Sequence, residues 1–162
     1  KKYILLMLNK TFYLKETQKV PISIHEAWSF FSNPLNLKEI TPPHLNLVVT
    51  NEMPEKMHAG MIITYVVEPL LKIKMNWVTE ITNMQEPFYF VDEQRFGPYK
   101  FWHHQHIFKE IDGGVEVTDI VHYKIRAGIF SSLINKLIVK NELQKIFSYR
   151  TEVLLKKFGT FN

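Results

Sequence analysis

Polar and apolar residues alternate loosely from Lys10 to Val20, the pattern of a strand half in water. Pro21 closes it, because proline has no N–H to give to a sheet ladder. The period then lengthens. In HEAWSFF, residues 25–31, the apolar positions share one helical face, with Ser23 at the N-cap position, Glu26 three residues later, and Asn33-Pro34 as the stop. A second short helix, LNLKEI, ends at Thr41-Pro42-Pro43. Beyond it period two governs LNLVVT, MIITYVVE, LKIKMNWVTEI, FYFVDEQR, YKFWHHQHIFKEI and VEVTDIVHYKI. Turn material between them, including Gly60, Glu86-Pro87, Gly97-Pro98 and Asp112-Gly113-Gly114, predicts a run of antiparallel hairpins.

From about Ile129 glycine and proline vanish until Gly159, and the spacing becomes helical. The apolar face shifts on the way: Phe130, Ile134 and Leu137 point in one direction, while Leu143, Ile146, Phe147, Val153, Leu154 and Phe158 share a face nearly opposite. This predicts a short helix or structured loop to about Val139, then the main helix from about Lys140 to Phe158. The order of one strand, two short helices, six strands and one long helix defines an α+β chain, read as a single domain over residues 1–162, with a curved sheet gripping the terminal helix. The opening KKYILLML imitates a signal-peptide start, but its apolar run is short and no small-residue cleavage site follows. Residues 1–9 are therefore expected to be an extension or a strand start.

Alternation also sorts each strand into two faces. Val115, Val117, Asp119, Val121, Tyr123 and Ile125 form one apolar row in which Asp119 is the exception. Trp102, His104, His106 and Phe108 are expected to point inward, opposite Phe101, His103, Gln105, Ile107 and Lys109. By the same rule Phe90, Asp92 and Gln94 face in, as do Met75, Trp77, Thr79 and Ile81. On the terminal helix Arg150 falls between Phe147 and Leu154, and a buried guanidinium is costly without a carboxylate or an anionic ligand, so Asp92 and Asp119 are its candidate partners. So many inward polar groups among aromatics do not suit a dry core. They suit an apolar pocket with a few convergent polar groups.

Composition supports that picture and narrows the partners. Among 162 residues, 14% are aromatic, 12 of them Phe, enough for a large core or an apolar pocket. The net charge of +4 would suit nucleic acid or an anionic membrane, but the basic residues are scattered, so no nucleic-acid role is assigned and a transient membrane-surface contact stays open. The absence of cysteine excludes disulfides, thiolate metal sites and a cysteine nucleophile, leaving a reducing cytoplasm as the default compartment. No segment offers the roughly 18 uninterrupted apolar residues of a membrane span.

Three of the seven histidines crowd into WHHQH, residues 102–106. His104 and His106, at i and i+2, could reach one ion with Asp119 as a third ligand. Inward histidines among aromatics are more often hydrogen-bonded, so neither a metal nor another cofactor is assigned. An Asp bonded to a His raises its basicity, which makes His106, with Asp119 or Asp92, a candidate acid and base; the alternative is a structural network that satisfies buried groups. The chain has no serine-hydrolase elbow, GxGxxG or P-loop, which argues against hydrolase, dinucleotide and phosphoryl-transfer chemistry.

NPLNLKEITPPHLNLVV, NWVTEIT, FVDEQRFGPYKFWHHQHIF, VTDIVHY and LQKIFSYR together resemble the bacterial ligand-binding SRPBCC group of the START-like, helix-grip superfamily, over residues 11–158. The resemblance implies a seven-stranded antiparallel sheet curled around the C-terminal helix, with a cavity for a hydrophobic molecule. Matched residue by residue, it points to Asp92, Gln94, Trp102, His104, His106, Phe108 and Arg150, while His103 falls at a variable position.

The resulting expectation is binding or carriage of a small hydrophobic or amphipathic molecule of lipid, isoprenoid or polyketide type. Trp77, Phe90, Trp102, Phe108, Tyr123 and Phe147 would line the cavity, while Asp92, Gln94, His104, His106, Asp119 and Arg150 would orient a polar head. The alternative is a cyclase, dehydratase or hydratase using His106, Asp119 and His104. A third reading is a protein-interaction module with a solid core. The discriminating feature is access: an imidazole edge open to the cavity favours chemistry, and one with both nitrogens engaged favours scaffold.

Overall fold

The structure, a computed structural model, describes residues 10–69, 73–126 and 128–161, so the expected extension at 1–9 lies outside the described residues. Its strands are β1 (Phe12–Val20), β2 (Val48–Val49), β3 (Ile62–Val67), β4 (Met75–Gln85), β5 (Tyr89–Phe96), β6 (Phe101–Ile111) and β7 (Gly114–Lys124). The helices are α1 (Ile24–Phe31), α2 (Ser131–Ile134) and α3 (Lys140–Phe158). The strands form one seven-stranded sheet in the order β1-β7-β6-β5-β4-β3-β2. Every pairing is antiparallel. The α+β helix-grip architecture expected from the sequence is the one observed.

The alternation behind the strand assignments is plainest in β7, where every second residue from Val115 to Tyr123 is buried and the residues between are not. β6 follows the same rule, with Trp102, His104, His106 and Phe108 inward. β4 breaks it. Two register shifts between β4 and β5 bend the sheet: at Val78/Thr79 the extra residue is Arg95 of β5, and at Ile81/Asn83 it is Thr82 of β4. The strand also begins at Met75, leaving Ile73 and Lys74 of the expected LKIKMNWVTEI segment outside it, with residues 71–72 outside the described residues. LNLVVT contributes only the pair Val48–Val49.

Ser23 caps α1 as expected, its Oγ accepting from the Glu26 N–H at 3.2 Å. The second short helix is a 3-10 turn, Pro34–Lys38, capped by the Asn33 side chain, whose oxygen accepts from the Leu35 N–H. At the other end of the chain, α2 runs through a π-helical turn, Asn135–Val139, into α3. Asn135 and Val139 are buried within this wider turn, and Leu143, Phe147, Arg150 and Leu154 continue the buried side along α3. Phe130 and Leu137 of the expected first face are exposed, so the change of direction in the sequence marks an outward apolar set. Helix α3 ends at Gly159, whose φ of 95° favours glycine.

Two apolar clusters fill the concave side of the sheet. One joins Trp28, Phe30 and Phe31 of α1 and Leu154 of α3 to Ile63, Ile81, Phe90 and Phe108. The other joins Val139, Leu143 and Phe147 to Phe12, Trp102, Val121 and Tyr123. Trp77 packs against both, and the space between them is the site described next.

Candidate functional site: a cavity with one polar wall

A cavity of about 380 Å³ separates the sheet from α3 and from the segment that follows α1. Most of its lining is apolar, including Phe31, Ile63, Ile81, Phe90, Trp102 and Phe147. Its polar wall is Asp92, His104, His106 and Arg150, from β5, β6 and α3.

Strand register builds this wall. Asp92 is opposite His104, and His106 opposite Asp119, so two carboxylates on the outer strands bracket two imidazoles on the middle one. His106 Nε2 lies 2.8 Å from Asp92 Oδ2, and His104 Nε2 lies 2.9 Å from Asp119 Oδ1. The second nitrogen of each ring faces the other carboxylate: His104 Nδ1 is 3.4 Å from Asp92 Oδ2, and His106 Nδ1 is 2.9 Å from Asp119 Oδ1. The last contact is off the hydrogen-bond line, so it is an electrostatic contact more than a directed bond. Arg150 completes the group, its Nη1 donating to Asp119 Oδ1 at 3.1 Å. The guanidinium lies 4.9 Å from the Phe31 ring centroid, over a face that favours cations.

Electrostatics divides the two histidines. Burial and the charge of His106 push His104 below its ordinary value. Burial pushes His106 down as well, but the carboxylates of Asp119 and Asp92 beside it overcome this and raise His106 from its ordinary value. Asp92 and Asp119 show the same contest: burial works to raise them, and the cations around them win, most strongly at Asp119 beside Arg150. The group thus sets two carboxylates and one guanidinium around two imidazoles that it biases in opposite directions, His106 towards the protonated form and His104 towards the neutral one.

Four residues expected in the ligand-binding set do not line the cavity: Gln94, Phe108, Asp119 and Tyr123. Asp119 lies behind the imidazoles and orients them. Phe108 belongs to the core beneath Trp28, ring centroids 5.9 Å apart. Tyr123 donates its hydroxyl to Asn135 Oδ1 at 2.7 Å, fixing the π-helical turn. Gln94 clamps the turn between β5 and β6: its amide donates to the Tyr99 carbonyl at 2.9 Å and its oxygen accepts from the Tyr99 N–H at 3.1 Å. A Cβ at Gly97 would fall 2.5 Å from that same oxygen, so glycine there makes room for the clamp. Trp77, Phe90, Asp92, Trp102, His104, His106, Phe147 and Arg150 all reach the lining.

Sequence reading missed much of the rim. Asn33, Asn36, Leu37, Thr41 and Leu45 line the cavity from the segment after α1. That segment is tied to α3 by His44, whose Nε2 is 2.6 Å from Glu142 Oε1, and by Lys157, which donates to Glu39 at 2.9 Å. Nothing periodic marks these residues. Tyr65 was legible: it shares the inward row of β3 with Ile63 and Val67.

For a metal ion, the ligand atoms that lie together are those of Asp92, His104 and His106, all within 4.8 Å of one another. The expected third ligand, Asp119, is not among them. Their nitrogens and oxygens are already paired at hydrogen-bond distances, so holding an ion there would break the His106–Asp92 bond.

No protein-family model matches the chain, and no curated protein matches it significantly. Solved structures do. CV1439 from Chromobacterium violaceum is 8% identical with a TM-score of 0.70, over 92% of this chain and 98% of that one. A START superfamily protein from Mycobacterium smegmatis is 9% identical at a TM-score of 0.68, over 90% and 96%. Protein Ms6760 from the same species is 19% identical at 0.63, over 89% and 91%. At such identities the likeness concerns the fold. The START-like helix-grip fold named from the sequence is the fold of this chain.

Proposed function

We propose that the protein binds and carries a small, mainly apolar molecule of lipid, isoprenoid or polyketide type in this cavity. The observation that carries the reading is a cavity of about 380 Å³ whose lining is apolar except on one wall. Two buried donors on the lining, Trp77 Nε1 and Arg150 Nη2, have no acceptor among the described residues. An oxygen of the bound molecule would supply one.

The cyclase or dehydratase alternative asks more of the wall than its geometry offers. A general base needs a nitrogen within reach of the substrate, and both ring nitrogens of His104 and of His106 face carboxylates. That engagement supports His104, His106 and Asp119 as the frame of the cavity.

Native mass spectrometry of the protein purified from its own host, followed by denaturation and extraction, tests the proposal. An apolar molecule released in near-equimolar amount is the expected result. Failure to extract any molecule, together with no thermal shift across a panel of fatty acids, esters, isoprenoids and quinones, would overturn it.

A further inference from the structure

The cavity explains the inward residues of the C-terminal helical segment but leaves its outer side without a role. Phe130, Leu133, Leu137 and Ile138 are 61%, 56%, 60% and 44% exposed. Phe130, Leu133 and Leu137 follow one another at spacings of three and four, which places them along one stripe of a helix. On the other side of the same segment, Asn135 is pinned by the Tyr123 hydroxyl and Val139 lines the cavity. The stripe is thus held outward on a fixed support.

The chain around it carries one sign of charge. Residues 120–141 include Lys124, Arg126, Lys136 and Lys140 and not a single Asp or Glu. The next acid, Glu142, is engaged with His44 at 2.6 Å. Arg126 sits beside the cavity rim, its Nε donating to the carbonyl of Tyr99, a lining residue, at 3.1 Å. Apolar side chains projecting from a stretch of chain that is basic and free of acids match the layering of a bilayer that contains anionic lipid: phosphates at the level of the lysines, acyl chains beyond them. A soluble acidic partner would pair with the lysines and leave the apolar stripe without a counterpart.

We infer that the segment from Phe130 to Lys140 docks peripherally on the surface of anionic lipid bilayers, with Leu133 and Leu137 entering the acyl region and Lys136 and Lys140 meeting headgroup phosphates. No helix among the described residues is long and apolar enough to cross a membrane, so the contact is with the bilayer surface. The inference is independent of what fills the cavity. It also puts the rim residues Ile125 and Val139 next to the lipid.

Co-sedimentation of the full chain with phosphatidylcholine vesicles, with and without phosphatidylglycerol, tests it. Binding should require phosphatidylglycerol and weaken as salt is raised. Leu133→Glu with Leu137→Glu should lower the partition coefficient about tenfold or more. Lys136→Glu with Lys140→Glu should lower it by a similar factor. All four positions are on the outer side, and unchanged thermal unfolding confirms that the fold is intact; were the leucine pair to unfold the chain, the lysine pair would decide. Absence of binding to the anionic vesicles, or binding that neither pair alters, overturns the inference. So does a concentration-dependent dimer that the leucine substitutions dissolve, because the stripe would then be an interface between two copies of this chain.

Discussion

Arg150 and Asp119 meet at 3.1 Å although one comes from the C-terminal helix and the other from the last strand, and both are buried. The pair joins helix to sheet beneath the cavity. The same Asp119 oxygen also faces a nitrogen of each of the two histidines, so three cationic or donor groups depend on one carboxylate.

Asp119→Asn should therefore cost about 3–5 kcal/mol of stability, the range for removing one partner of a buried pair. Urea unfolding at neutral pH measures it. A loss below about 1 kcal/mol, the size expected for an exposed pair, would show that water reaches Arg150.

The split between the histidines has a pH signature. His106, raised above 6.5, contributes stability fully below that value and loses it as pH rises through the folded pKa. His104, lowered below 6.5, acts in the opposite sense, and stability falls as pH drops from 6.5 towards its folded pKa. Asp92 and Asp119, lowered from 3.8, add a further loss as pH falls through their folded values. Stability should thus peak near pH 6.5 and decline on both sides. Imidazole nitrogen NMR at that pH should show His106 protonated on both nitrogens and His104 as a single neutral tautomer; the reverse assignment would refute the charge distribution.

Gln94→Ala should release the turn at residues 97–99 and cost about 1–3 kcal/mol for two hydrogen bonds. Trp77 packs edge-on and Trp102 tilted against Tyr99, at centroid distances of 5.6 and 4.8 Å, so tryptophan emission should shift with the loss. An unchanged spectrum and an unchanged melting temperature would mean that the clamp does not hold the turn.

Glycine substitutions should separate by what a Cβ would meet. At Gly114 it would run into the Val20 carbonyl and lie 3.0 Å from Pro21 Cα, backbone atoms that cannot swing away, so Gly114→Ala should cost about 1–3 kcal/mol. Gly60 has open space around that position, and Gly60→Ala should cost only about 1 kcal/mol, for its φ of 83°. Calorimetric melting temperatures give the ranking, and equal losses would contradict it.

The inward rows of β6 and β7 were legible because one face of those strands is buried along most of its length, which keeps period two intact. Asp92, His104, His106, Asp119 and Arg150 stood out as polar residues in apolar rows. Gln94 stood out in the same way, yet its partner is a local turn. Alternation reports which face a residue is on and not what it touches there. The rim from Asn33 to Leu45 was illegible for a different reason: it is held by side chains from distant helix turns, as His44 is by Glu142, and leaves no periodic trace. The π-helical turn lay between, since the sequence showed two apolar faces on this segment but neither the wider turn nor the exposure of Phe130 and Leu137 on the first face.

Of the two carboxylates in the network only Asp92 reaches the cavity, while Asp119 is screened behind the imidazoles. What the wall leaves open is a donor: Arg150 Nη2, buried, has no acceptor among the described residues. A donor held away from water gains most when an acceptor arrives, so the unmet half of the Arg150 guanidinium marks the point on the wall where an oxygen would be held hardest.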